Sequence, residues 1–349
     1  MRINHSDVNA SSTMAGFQFQ VNVAIYFMLR YLKDIDSIRV EGEKEDVEVN
    51  LKNNYKYMIQ AKAQTVDLKD NTNNASNLRK ALKSLANADE KNVQYLFYAS
   101  NMINPLNTTD EEFKKYDIVT KMYNELPEES QKKIDKQIDN LDGININREK
   151  LVIIRIPFFG KFDEEKYKFI FQTAKEVFSI MSDNLVNKSN TIIRDIESKF
   201  YDNGTAKKEC VITKEEFCNW IILTEIEGLD LSNDNLDIGI DELEYYDAYT
   251  QYKRFIDEEM SSYKNYGKVY SLFYRSRKNK NITINEFVKD KKLELYNYFF
   301  EGNLEKQEQI NENNRFDIYV SQIISYAILK KHSIIKRIKE GAGLWWLDI

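Results

Sequence analysis

Proline is scarce in this chain, with 3 in 349 residues beside 11 glycines, 2 cysteines and 2 histidines. So little proline leaves helices free to run long, because the residue that removes a backbone donor and breaks a helix is missing. Cys210 and Cys218 have no histidine near them, so they do not form a four-ligand zinc set; they read as free, buried thiols in a reducing compartment. His5 and His332 lie outside any cluster and read as surface residues. No stretch approaches the ~20 apolar residues of a membrane span. The charged-then-apolar pattern of a signal peptide is also missing, since the first apolar run begins near Phe17 and is broken by Gln18, Gln20 and Asn22. The expectation is a cytoplasmic protein without membrane contact. A basic excess is lacking too: 50 Lys and Arg against 56 Asp and Glu give a net charge of -6. Any contact with nucleic acid must then be local. No phosphate loop of the G-x-x-x-x-G-K-[ST] type occurs, so an ATPase acting with this chain would be a separate polypeptide.

What is present is an ordinary globular composition, 42% hydrophobic and 30% charged. After a polar arm over residues 1–14, helical spacing over 15–33 brings Phe17, Val21, Ile25, Met28 and Leu32 onto one stripe. Strand patterns follow at 37–43, 46–51 and 55–62, then a helix at 75–88 and a near-continuous apolar strand at 93–99, the mark of a strand covered on both faces. A charged, mostly helical excursion spans 101–148. Leu151 to Pro157 reads as another buried strand returning to the same sheet. From residue 162 the pattern turns helical, so the expectation is an α/β domain over 1–160, with a mixed sheet, followed by a mainly α-helical domain over 161–349. Trp345 and Trp346 read either as a tail packed on the core or as an anchor for a partner.

The densest pattern lies between Val40 and Lys62. Val47, Val49 and Leu51 alternate with polar residues, as do Tyr57, Ile59 and Ala61, with Asn53-Asn54 between, which predicts a half-buried hairpin. A two-residue turn would pair Asp46 with Ala61 and mismatch the apolar faces. A three-residue loop, Lys52 to Asn54 or Asn53 to Tyr55, matches them and sets Asp46 opposite Gln60 or Lys62. Either register gathers a carboxylate, an amide oxygen and an ammonium, a trio suited to a divalent metal and a phosphate. Taken alone, Gln-x-Lys is only the polar face of a strand.

The order helix, three strands, helix, strand, with Asp46 at the start of the second strand and Gln60-Ala-Lys62 ending the third, resembles the PD-(D/E)xK nuclease superfamily in its Q-x-K variant. Gly16-Phe-Gln-Phe-Gln20, Val40-Glu-x-Glu-x-x-Asp46 and Ile59-Gln-Ala-Lys62 resemble a bacterial anti-phage effector family. It includes the double-stranded DNA endonuclease domain of CBASS effectors and, in overall size and layout, the LmuA effector nucleases of Lamassu systems. The motifs cover residues 14–101. The resemblance implies a restriction-endonuclease-like αβββαβ domain that cuts double-stranded DNA with Mg²⁺, with Mn²⁺ as the substitute ion. Asp46, Gln60 and the Ala61 carbonyl would hold the metal, Lys62 would orient water or stabilise developing charge, and Gln20 would approach from the first helix. A Gln ligand leaves the site one negative charge short, which Glu43 or Glu45 could restore. Arg79, Lys80 and Lys83 would meet DNA phosphates from the second helix. The implied partners are an SMC-like coiled-coil ATPase and a small third subunit, with a homo-oligomer as the possible active form. Two alternatives remain: a catalytically silent scaffold, and a nuclease switched by a directly bound cyclic nucleotide.

Overall fold

The structure is a computed structural model that describes residues 5–64, 73–141, 146–160, 162–205, 209–227, 236–258, 264–300 and 310–344. The chain divides into two compact units. One holds the residues up to Val177 together with Lys188–Lys214; the other holds Phe178–Asn187 and the chain from Glu215. The first unit therefore extends past the break expected near residue 160.

Its elements are α1 (His5–Arg30), β1 (Ile35–Val40), β2 (Val47–Leu51), β3 (Lys56–Lys62), α2 (Asn74–Ala88), β4 (Val93–Ser100), α3 (Glu111–Lys114), β5 (Val119–Met122), α4 (Glu128–Asp139), β6 (Leu151–Arg155), α5 (Asp163–Lys166), most of α6 (Lys168–Ser179) and of α7 (Asp183–Thr205), and β7 (Val211–Thr213). The seven strands form one mixed sheet in the order β5-β6-β4-β3-β2-β1-β7. β1, β2 and β3 run antiparallel, β3, β4 and β6 run parallel, and β5 and β7 close the two edges antiparallel. The first helix begins at His5, ten residues before the expected start at Ala15. The edge strands β5 and β7 have no strong sequence signal, being four and three residues long. β5 falls inside the segment expected to be mostly helical.

Helices cover both faces of the sheet, as the apolar runs of β4 and β6 require. On one side α1 lies on β1, β2 and β3. There Phe27 meets Phe97 edge-on at 4.9 Å and Tyr31 meets Tyr57 at 5.5 Å. On the other side Leu78, Ala81, Leu82 and Leu85 of α2 and Ile134 and Ile138 of α4 bury against Met58, Leu96, Tyr98 and Ile153. Residues 78, 81, 82 and 85 recur at helical spacing, so α2 turns one apolar stripe to the sheet and its cations outward.

The second unit contains α8 (Lys214–Glu227), α9 (Glu242–Glu258), α10 (Lys264–Asn279), α11 (Ile284–Asp290), α12 (Lys292–Phe299), α13 (Glu312–Lys330) and α14 (His332–Gly341). α13 is its axis, packed by α9, α10, α11, α12 and α14. Its buried Gln322 donates to the Val288 carbonyl at 2.9 Å. Glu225, also buried, accepts from Ser182 at 2.6 Å and pairs with Lys331 at 3.2 Å. Both cysteines are buried, and neither is in a disulfide. His332 is half-buried rather than a surface residue, stacked on Tyr270 with ring centroids 3.7 Å apart. Trp345 and Trp346 lie outside the described residues.

Candidate active site on the β2–β3 hairpin

The hairpin pairs Val47 with Ile59, Glu48 with Met58, Val49 with Tyr57 and Asn50 with Lys56. Leu51 N–H reaches the Tyr55 carbonyl at 2.9 Å, so the loop is Lys52, Asn53 and Asn54. This is the first of the two three-residue loops that match the apolar faces. Asn54 makes it possible by adopting φ +64, a left-handed conformation that Asn tolerates better than most residues. Its N–H returns to the Leu51 carbonyl at 3.1 Å.

Continued by one step, this register sets Asp46 beside Gln60. β2 pairing ends at Val47, and in the antiparallel alternation Ala61 N–H is the next donor directed to that side. It is met by a side chain: Asp46 Oδ2 accepts it at 2.9 Å. Gln60 Nε2 donates to the same oxygen, and Lys62 Nζ lies 3.5 Å from it. Three donors thus converge on Oδ2, and Oδ1 takes none of them. Burial pushes the Asp46 carboxyl above its ordinary value, while Lys62, Ala61 N–H and Gln60 pull in the opposite direction. Beyond Lys62 the strand is tied to β4 by Asn101, which accepts from Gln64 N–H at 2.8 Å and donates to the Gln64 carbonyl at 2.9 Å.

The turn entering β2 is equally tight. Glu41 N–H donates to the Asp46 carbonyl at 2.8 Å and Gly42 N–H to the Glu45 carbonyl at 3.0 Å. Buried Glu48 accepts Lys44 N–H at 2.8 Å. A Cβ on Gly42 would sit 2.5 Å from Glu48 Cδ, so glycine leaves that carboxylate its room. Glu45 is 4% exposed; neither carboxylate oxygen makes a hydrogen bond of ordinary geometry, although the Ser84 hydroxyl lies close enough to favour its charged form. Burial raises its pKa to about 8; the nearby Ser84 hydroxyl of α2 and Lys62 lower it only in part, and Asp46 and Glu48 raise it further.

The other expected site residues fall into two groups. Glu43 is not brought to this cluster: it is 76% exposed and paired with Arg39 at 3.3 Å, because the 41–46 turn points it outward. Gln18, which is not among the expected site residues, is tied to Tyr167 and Lys166. Gln20 is half-buried on α1 with Oε1 unpartnered, and no bond joins it to Asp46 among the described residues. Arg79, Lys80 and Lys83 are exposed on α2, and Arg79 donates to Gln137 of α4 at 3.0 Å. Lys80 shares a helical stripe with Ser84, one turn away.

The donor set fits a hard divalent cation. A half-turn of the Gln60 carboxamide exchanges its nitrogen for its oxygen without moving the rest of the side chain, and the orientation of such an amide follows from its hydrogen bonds alone. Carboxylate, carboxamide and backbone carbonyl oxygens are the ligands Mg²⁺ takes while keeping several waters. Among the described residues no group of three or more His, Cys, Asp or Glu is placed to hold a metal, so a site here depends on amide and carbonyl oxygens as well. Comparison with protein families, curated proteins and solved structures finds no match to this chain.

Proposed function

We propose that this chain is a metal-dependent DNA endonuclease of the PD-(D/E)xK type with a Q-x-K site, acting as the effector of a Lamassu-like anti-phage system. The observation that carries the reading is the convergence of Gln60, Ala61 and Lys62 on one oxygen of Asp46, imposed by the odd-length hairpin loop. The order α1-β1-β2-β3-α2-β4 supports a restriction-endonuclease-like fold for this part of the chain.

In this reading Asp46, Gln60 and the Ala61 carbonyl hold Mg²⁺ or Mn²⁺. The bound ion supplies the charge that polarises a phosphodiester and acidifies an attacking water. Lys62 keeps its ammonium at the carboxylate, where it stabilises negative charge developing on the phosphate. The buried side of the hairpin holds these groups in register, and the exposed cations of α2, Lys80 foremost, supply local attraction for a backbone that a chain of net charge -6 would otherwise repel.

A nuclease of this kind needs restraint, so control by an SMC-like coiled-coil ATPase and a small third subunit, with oligomerisation on release, belongs to the same proposal. Asp46→Ala and Lys62→Ala are expected to abolish plasmid cleavage by the activated complex while circular dichroism stays unchanged. Full cleavage by either variant removes the basis for the enzyme. Co-purification of the native chain with a coiled-coil ATPase tests the partnership.

One observation favours the second reading, a directly bound nucleotide switch. The helical unit contains a cavity of about 610 Å³ lined by Tyr270, Tyr274, Arg277, Thr283 and His332, a size and a set of aromatic rings with one guanidinium that suit a nucleotide. Calorimetric titration of the full chain with cyclic oligonucleotides distinguishes the two forms of control.

A further inference from the structure

The candidate site lies at the end of β3, where strand pairing gives out. Pairing with β2 stops at Ile59 opposite Val47, and pairing with β4 stops at Lys62 opposite Ser100. Two side chains continue where the strands stop. On the β2 side Asp46 receives Ala61 N–H at 2.9 Å. On the other side Asn101, the residue after β4, takes both main-chain groups of Gln64: it accepts the N–H at 2.8 Å and donates to the carbonyl at 2.9 Å. Its Nδ2 also donates to the Phe158 carbonyl at 3.2 Å, beyond the end of β6. Phe158 packs on Phe19 of α1 and on Tyr167, with ring centroids 5.7 Å and 5.2 Å apart. Asn101 is 2% exposed, and backbone groups engage its oxygen and its nitrogen alike. Those partners fix which way the amide points, because an N–H only donates and a carbonyl only accepts.

We infer that Asn101 is a positioning residue of the metal site, holding the Ala61 carbonyl and the Lys62 ammonium in place by clamping the chain just beyond them. The inference rests on the Q-x-K reading of that site. Main-chain groups alternate sides along a strand, so those of Lys62 and Gln64 face β4 while those of Ala61 face β2. Fixing Gln64 toward β4 therefore fixes Ala61 toward Asp46, with its carbonyl on the side of the carboxylate that would share the cation. The same alternation keeps the Lys62 side chain on the face of Gln60, where its Nζ lies 3.5 Å from Asp46 Oδ2. Without the clamp, Lys62 would be the last residue of an unsupported strand end, and such ends open first. Asn101 acts through Gln64 alone, since its own amide is fully engaged and buried.

The test compares Asn101→Ala with Ile134→Ala, a truncation of a fully buried α4 residue in the core between α2 and the sheet. Mn²⁺ binding to the full-length chain is measured by electron paramagnetic resonance of the free ion, and kcat and KM by plasmid cleavage with the activated complex. Loss of a group that orients a metal ligand costs about ten- to a hundredfold in affinity or rate. Asn101→Ala is expected to weaken Mn²⁺ binding and to lower kcat by about that factor, with KM for DNA unchanged. Ile134→Ala is expected to melt earlier and to keep both binding and kcat. Should Asn101→Ala not fold, the isosteric Asn101→Asp takes its place with the same expected loss, because it keeps the acceptor for Gln64 N–H and removes both donated bonds. Wild-type binding and kcat in the Asn101 variant, with both lost in Asp46→Asn, overturns the positioning role and leaves the site standing. An equal loss in Ile134→Ala overturns it as well, by showing that general stability sets the site. Unchanged binding and cleavage in Asp46→Asn, or no Mn²⁺ binding by the wild-type chain, overturns the metal site itself and this inference with it.

Discussion

Gly42 and Glu48 show how one missing carbon atom supports the candidate site. Glu48 is buried on the face of β2 that carries the polar cluster, and its carboxylate caps Lys44 N–H. Gly42→Ala would put a methyl group 2.5 Å from Glu48 Cδ. Overpacking a filled interior costs about 1–3 kcal/mol. Urea denaturation of Gly42→Ala should show a loss of that order. The double variant with Glu48→Ala should lose less than the sum of the two single changes, because the shortened side chain removes the clash. Strict additivity would mean that the two positions do not share the space.

At the level of elements, the hairpin loop sets the site. Asn54 holds φ +64, so Asn54→Gly should be neutral or stabilising by up to ~1 kcal/mol, whereas Asn54→Val should destabilise by about 1–2 kcal/mol, both read from thermal melts. Deleting Asn53 leaves a two-residue loop and shifts the register by one, which exchanges the faces of one strand and separates Asp46 from Gln60. That variant should lose cooperative unfolding of the first unit, not merely activity. β6 has a comparable dependence on Arg155, which is fully buried and donates from one guanidinium nitrogen to the carbonyls of Phe113 and Lys115. Arg155→Met keeps most of the volume and removes both bonds. The two carbonyls are left without this donor, and a loss of about 2–4 kcal/mol is expected in chemical denaturation. A neutral Arg155→Met would show that water satisfies both carbonyls.

For the molecule as a whole, the acid cluster ties stability to pH. Burial raises the Glu45 pKa to about 8 from an ordinary value of 4.5, so the folded chain binds this proton more tightly than the unfolded one. The contribution is therefore fully present below about pH 4.5 and is lost as pH rises through about 8. Asp46, also raised by burial, acts in the same direction. Thermal melts of the cation-free chain between pH 5 and pH 9 should show the wild-type protein falling relative to Glu45→Gln as pH rises. A constant difference between the two across that range would mean that the Glu45 carboxyl is solvated.

The sequence by itself determined the hairpin, its odd loop and the placing of Asp46 opposite either Gln60 or Lys62, because strand alternation has a period of two and only one parity keeps Val47, Val49 and Leu51 with Tyr57, Ile59 and Ala61. The tertiary structure chose Gln60 by closing the loop at Leu51 and Tyr55. The sequence also determined that β4 and β6 lie inside a covered sheet, since their apolar runs leave no face for water. Tertiary structure alone decided the rest. The short edge strands β5 and β7 exist because β6 and β1 offer unpaired backbone, not because Val119–Met122 or Val211–Thr213 carry a strong pattern. Helix α1 extends back to His5, where the polar residues show no amphipathic period. The separate placing of Glu43 and Glu45 also lay beyond local pattern. Two acids in one turn look alike in sequence, and only the fold exposes one to Arg39 and solvent while burying the other.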